Sequence, residues 1–185
     1  GGWTVAASLQ PPGYSQVTGT ISALAAYGAA DRWVMTLAFA VVAGCHVVTA
    51  LALRPAAGPG RYVLAAAGLA TAAVAASPLP AGGGGSGRHT AAAAVSFVTL
   101  AAWPALAARR GPTRWALRPV VCASASVVLF ALVAWFTVTL NVPGAPVGVS
   151  ERVTAAAQAL WPLAVVLACR RRRPAIPAAV SSHSG

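Results

Sequence analysis

Five stretches of this chain stay apolar for close to the thickness of a bilayer: residues 33–53, 62–79, 89–108, 120–140 and 153–169. Wound as α-helices at about 1.5 Å per residue, such runs reach across a hydrocarbon layer of roughly 30 Å. The connectors at 54–61, 80–88, 109–119 and 141–150 are rich in proline and glycine, which end helices. A further run, Trp3 to Leu9, is far too short to span, and we read residues 1–9 as the outer end of a first helix that is truncated in this chain. It lacks the charged start and the small-residue cleavage site of a signal peptide. The predicted fold class is therefore all-α, a polytopic transmembrane bundle of six helices with the first truncated. It forms one domain over 1–173, with a flexible cytoplasmic tail at 174–185.

Composition supports lipid as the solvent. The chain is 58% hydrophobic and only 8% charged, whereas a soluble domain carries about 25% charged residues. All 13 basic residues are arginine, and with two acids the net charge is +11. So basic a chain raises nucleic acid as a partner. Here the arginines sit at the ends of apolar runs with no polar aromatic surface beside them, which excludes that class.

If the five runs span, Arg54, Arg61, Arg109, Arg110, Arg114, Arg118 and Arg170 to Arg173 fall on one side, and Arg32, Arg88 and Arg152 on the other. That asymmetry matches the excess of arginine in cytoplasmic loops. It predicts a multi-pass protein of the plasma (inner) membrane with a cytoplasmic C-terminus.

Several features read as structural. Gln10-Pro11-Pro12-Gly13-Tyr14 breaks any helix, and the short turn Ile21-Ser22-Ala23-Leu24 should lie at the interface or fold back over helix ends. Trp33, Trp103, Trp115, Trp135 and Trp161 lie near predicted span ends, where indole anchors at the interface. Ala40 with Gly44 and Gly68 with Ala72 have the spacing of closely packed helices. Cys45, Cys122 and Cys169 are scattered, which suits packing and not a disulfide framework or a thiolate metal site. The run Gly82 to Gly85 lacks the lysine and hydroxyl of a phosphate loop.

Polar groups inside a membrane are costly and so require a reason. The extracytoplasmic end collects Gln10, Tyr14, Ser15, Thr18, Thr20, Ser22, Asp31, Arg32, His89, Thr90, Glu151 and Arg152. Thr154 and Gln158 lie three and seven residues beyond Glu151 and share its face. Asp31 and Glu151 open helices, where a carboxylate is favoured by exposed N–H groups. Capping is the favoured role; the alternative is that they meet His89 in one pocket, since both acids of the chain fall on that face. The candidate binding residues are Tyr14, Ser22, Asp31, Arg32, His89, Glu151 and Gln158. His46, near mid-membrane, is expected to stay neutral and bond a hydroxyl or carbonyl of a neighbouring helix, whereas His183 lies in the polar tail. No metal site and no cofactor is predicted.

The strings Gln10-Pro-Pro-Gly-Tyr14, Thr20-Ile-Ser-Ala-Leu-Ala-Ala26 and Asp31-Arg-Trp-Val-Met35 resemble the actinobacterial branch of the "domain of unknown function 998" family. So do Arg88-His89, Trp103-Pro104-Ala105, Glu151-Arg-Val153 and Gln158-Ala-Leu-Trp-Pro162. The resemblance covers nearly the whole chain and implies a six-helix membrane protein without an assigned activity. Ile21-Ser22 and His89 also give a more distant resemblance to Frag1/DRAM/Sfk1-type membrane proteins, which favours a scaffold or lipid-associated role.

Three functions follow. The first is a non-enzymatic lipid-associated, scaffold or accessory protein whose partners are membrane lipids or another membrane protein. The second is a membrane hydrolase in which His89, Asp31 and Glu151 hold a metal or activate water, with Ser22 in support. Metal-activated water needs about three placed ligands, and this face offers a single histidine. The Gly-x-Ser-x-Gly and His-Glu-x-x-His motifs are also missing. The third is a small proton-coupled transporter using His46, although the sequence shows neither an internal repeat nor a midplane carboxylate.

Overall fold

Within a bilayer a backbone has no water to bond, and a helix meets that constraint because it satisfies its own N–H and C=O groups. The computed structural model, which describes residues 1–82 and 84–170, is helical with no strand among the described residues. Six α-helices follow in order: α1 Gly2–Ser8, α2 Arg32–Ala52, α3 Gly58–Ala75, α4 Gly87–Ala107, α5 Pro119–Leu140 and α6 Val147–Arg170. Two 3-10 turns, Ser22–Ala25 and Trp115–Leu117, sit in the longer connectors. The arginines after Arg170, the tail expected at 174–185 and His183 lie outside the described residues.

Four helices, α2, α4, α5 and α6, are long and apolar enough to cross a membrane. Their outer faces carry large apolar side chains such as Leu37, Leu51, Val127 and Leu160, each more than half exposed. Such faces suit lipid and would be a liability in water. Helix α3 is shorter, at 18 residues, and it is displaced from the apolar run at 62–79. Pro59 is tolerated in its first turn, whereas Pro78 restricts Ser77 to extended backbone, so the helix ends at Ala75. Helix α6 begins at Val147 and not near 153.

Successive helices alternate in direction, so the ends of α2, α4 and α6 meet the starts of α3 and α5. The connectors there are tied together: Ala57 N–H donates to Ala107 O at 3.1 Å, and Arg109 N–H to Leu117 O at 2.9 Å. Beneath them Leu53, Leu64, Leu100, Trp103, Leu117 and Val165 form one apolar core. Trp103 is 0% exposed, which corrects the expectation of an interface anchor. It is a core residue, with Trp161 packed partly buried against the same core. Trp33, Trp115 and Trp135 are the exposed ones.

Helix α3 lies between α2 and α4 and packs most extensively with both. A Cβ on Gly60 would collide with the Ala107 backbone, and one on Gly68 with Ala43 O and Val47. Gly44, by contrast, faces open space beside exposed Ala40, so of the two small-residue pairs only Gly68 serves helix packing within the chain. The Thr71 and Ser96 hydroxyls bond each other at 2.8 Å between α3 and α4, as Thr139 and Ser150 do at 2.6 Å between α5 and α6.

At the opposite end Ala6, Ile21, Leu24, Ala25 and Met35 form a second core. Ile21 and Leu24, 2% and 1% exposed, fold back over the helix ends. Forcing a side chain into a tight contact costs about 1–3 kcal/mol. Gly60→Leu should therefore lower the thermal unfolding midpoint in detergent, while Gly44→Leu leaves it unchanged. Equal midpoints for the two variants would contradict the α3–α4 packing described here.

Candidate functional site

Helical periodicity places Glu151, Thr154 and Gln158 on one face of α6, and all three are buried. Glu151, 3% exposed, sits in the second turn and does not cap the helix. Its Oε2 accepts the Ile21 N–H, and its Oε1 accepts the Ser22 hydroxyl at 3.2 Å. Arg152, the next residue, serves the same loop with the opposite polarity. Its Nη1 donates to Gln16 O at 2.8 Å, Gly19 O at 2.7 Å and Gly148 O at 2.8 Å. Its Nη2 donates to the Tyr14 hydroxyl at 2.9 Å. The first N–H groups of α6 add to the grip, with Gly148 and Val149 both donating to Val17 O. Such N–H groups have no partner within the helix itself. A Cβ at Gly148 would strike the carbonyls of Gly19 and Gln16, so only glycine lets the loop lie this close.

The loop 14–22 is thus held through its donors by a carboxylate and through its acceptors by a guanidinium. Charge-assisted hydrogen bonds of this kind are shorter and stronger than neutral ones, and they offset part of the cost of burying the charges.

His89 is also buried, at the start of α4. Its Nδ1 lies 2.8 Å from Ser77 O, a carbonyl that can only accept. Nδ1 is therefore the donor of this bond. Together with Thr20, Ser22, Phe97, Phe136 and Glu151, His89 lines a cavity of about 310 Å³.

A second cavity of about 200 Å³ lies among α2, α3, α4 and α6, with Gly1, Gly2 and Trp3 also on its wall. Its lining is mainly apolar, including Met35, Phe39, Val42 and Leu100. His46 and Gln158 belong to it too. Gln158 donates from Nε2 to Phe97 O at 2.9 Å, but its Oε1 is buried with no hydrogen-bond partner. His46 Nδ1 is likewise buried and unpartnered, which departs from the expected bond to a neighbouring helix. The hydroxyls on the same cavity wall are already committed: Thr71 bonds Ala67 O and Ser96. Ser22, Glu151, Ala93 and Phe97 line both cavities and stand between them.

The candidate residues therefore divide. Ser22, His89, Glu151, Gln158 and His46 gather around two adjoining cavities, and Tyr14 joins them through Arg152. Asp31 stays outside both cavities; it is exposed, with a left-handed φ of 47° and no side-chain bond to the start of α2. Arg32 stacks over the rings of Tyr27 and Trp33, 4.8 and 3.9 Å from their centroids. Arg152 was the residue undervalued in the sequence, where it reads as one of three arginines on the sparse side. The Thr71–Ser96 pair was missed as well, although two hydroxyls inside apolar runs are a usable signal.

A family model described as "Protein of unknown function (DUF998)" matches residues 2–168. The chain belongs to the DUF998 family. No similar protein was found among curated proteins or among solved structures. The DUF998 match extends from α1 to the last turns of α6 and so contains the loop, its clamp and both cavities. Among the described residues no three His, Cys, Asp or Glu side chains come together as a metal-binding group.

Hydrogen bonds to charged groups contribute about 1.5–3 kcal/mol. In this DUF998 protein Arg152→Ala should speed hydrogen exchange of the Val17 to Ile21 amides roughly ten- to hundredfold, at about 1.4 kcal/mol per decade. Exchange in α5 should stay at its wild-type rate. Unchanged exchange across the loop would show that Arg152 does not hold it.

Proposed function

We propose that this DUF998 protein is a non-enzymatic, lipid-associated protein of the plasma membrane that takes a single lipid tail into the cavity beneath Glu151. The observation that carries this reading is a mainly apolar cavity of about 200 Å³ lined largely by the membrane-length helices α2, α4 and α6. A mainly apolar cavity of this order of size can accept hydrocarbon. Lipid tails are the apolar molecules a membrane offers in excess. The seam that would admit one is the thin contact between α2 and α6, the two helices that also flank Glu151 and His46. The unpartnered Gln158 Oε1 and His46 Nδ1 give such a molecule polar points on an otherwise apolar wall.

Orientation follows from the same arginines read in the sequence. Arg54, Arg61, Arg109, Arg110, Arg114, Arg118 and Arg170 belong to the end where α2, α4 and α6 finish, and Arg32, Arg88 and Arg152 to the other. The positive-inside rule assigns the first end to the cytoplasm and the loop 14–22 to the outside. The hydrolase reading is less well supported, because it requires Asp31 beside His89 and Glu151.

Two measurements test this proposal. Native mass spectrometry of the purified protein should find one retained lipid, and filling the cavity with Ala155→Phe should remove it without changing the unfolding midpoint. Equal lipid in both proteins would overturn the cavity reading. For orientation, the three native cysteines are replaced by serine and single cysteines introduced in intact cells. Gln16→Cys should react with a membrane-impermeant maleimide, and Thr113→Cys only after permeabilisation; the reverse pattern would invert the topology.

A further inference from the structure

Outside the loop clamp and its cavities, a groove of about 890 Å³ lies at the other end of the bundle. It is lined by Arg109, Arg110 and Arg114, with Pro55, Ala57 and Trp115 among its other walls. The loop carrying the arginines has a fixed shape. Arg109 N–H donates to Leu117 O at 2.9 Å, and Leu117 N–H returns to Arg114 O at 2.9 Å. Gly111, with φ of 86°, makes the reversal between Arg110 and Arg114. Ala116 and Leu117 are fully buried in the core below and pin the loop to it.

Among the described residues these positive charges have no counter-charge. The chain has two acids, Asp31 and Glu151, and both belong to the opposite end. Other arginines are committed elsewhere. Arg61 donates to Ala50 O at 2.8 Å and Leu51 O at 2.9 Å, and Arg152 holds the loop 14–22. Among the described residues, the side chains of Arg109, Arg110 and Arg114 form no such bonds. A guanidinium keeps its charge at every accessible pH, and its planar fork matches phosphate oxygens in pairs. Three of them lining one groove, with no carboxylate there among the described residues, suit a bound anion.

We propose that this groove binds the phosphate of an anionic phospholipid headgroup. The lipid is the favoured source because the groove lies at the level where the helices emerge. Trp115, on its wall, is 51% exposed, and indole settles at the headgroup level. Val120, in the first turn of α5, presents 77% of its surface to the layer beneath. A phosphate here would have guanidinium groups above and its own acyl chains beside an apolar helix face. The proposal rests on the membrane reading but not on the cavity beneath Glu151, which lies at the other end.

The test uses the purified full chain in a neutral detergent, titrated with short-chain phosphatidylglycerol, short-chain phosphatidylcholine or inorganic phosphate, with bound molecules counted by native mass spectrometry. The wild type should prefer phosphatidylglycerol to phosphatidylcholine at least tenfold. The triple variant R109Q/R110Q/R114Q should lose that preference, and the lysine counterpart R109K/R110K/R114K should keep only part of it. The double variant R54Q/R118Q, which removes two exposed arginines of the same end that do not line the groove, should keep the full preference. A triple glutamine variant that still prefers phosphatidylglycerol overturns the site. So does an equal loss in R54Q/R118Q, which would indicate diffuse attraction to a basic surface. Displacement of the lipid by inorganic phosphate at equal concentration would replace the lipid headgroup with a free phosphate as the ligand. If the triple glutamine variant does not fold, the lysine variant decides: undiminished preference in it overturns the role of the guanidinium forks. Loss of the co-purified lipid in Ala155→Phe with the phosphatidylglycerol preference intact separates this site from the cavity.

Discussion

The upper half of this molecule depends on how two adjacent, oppositely charged residues are used. Glu151 and Arg152 follow one another on α6 and grip one loop through its donors and its acceptors, respectively. A buried carboxylate without bonded donors would cost several kcal/mol in a medium of low dielectric constant. Here the donors come from Ile21 and Ser22, and supplying them draws the loop down onto the helix ends. Ile21 and Leu24 are then buried in the second core, and Ser22 reaches the wall shared by the two cavities. One electrostatic requirement thereby places the loop, closes the second core and shapes the candidate site.

The two ends of the bundle are stabilised differently. Where α2, α4 and α6 finish, contact is close and apolar, with Gly60 against Ala107 and Trp103 enclosed beneath the connectors. Lipid tails give no hydrophobic drive to helix association, so close approach through small residues has to supply the dispersion energy. At the other end polar bonds take over and the packing opens into two cavities. A ligand is better accommodated in the part of a bundle whose packing is incomplete, since little apolar contact has to be broken to admit it. The arginines add a second asymmetry, collecting at the tightly packed end, opposite Asp31 and Glu151.

Much of the architecture is local and was legible from residue order. Apolar runs of membrane length specify helices, and proline with glycine specifies where they stop. Even so, α3 is offset from its apolar run, because proline acts differently at the two ends of a helix: Pro59 fits the first turn and Pro78 ends the last. The face shared by Glu151, Thr154 and Gln158 was also legible, being a consequence of 3.6 residues per turn. The gathering of polar residues at one end could be read from the same helix order. What their side chains bond could not. His46 shows this well, since its environment depends on Thr71 and Ser96, which satisfy each other across another helix pair.

By itself the sequence determined the helices, their approximate ends, and which end of the bundle each charge occupies. These are properties of local periodicity and of the solvent a side chain can tolerate. Tertiary structure alone decided that Glu151 and Arg152 serve the first loop and not each other, that Trp103 is core, and that Asp31 stands apart from the cavities. The partners of Glu151 lie 130 and 129 residues away along the chain. No local pattern marks such pairs, because they form only where the packing of whole helices brings a donor to a buried acceptor.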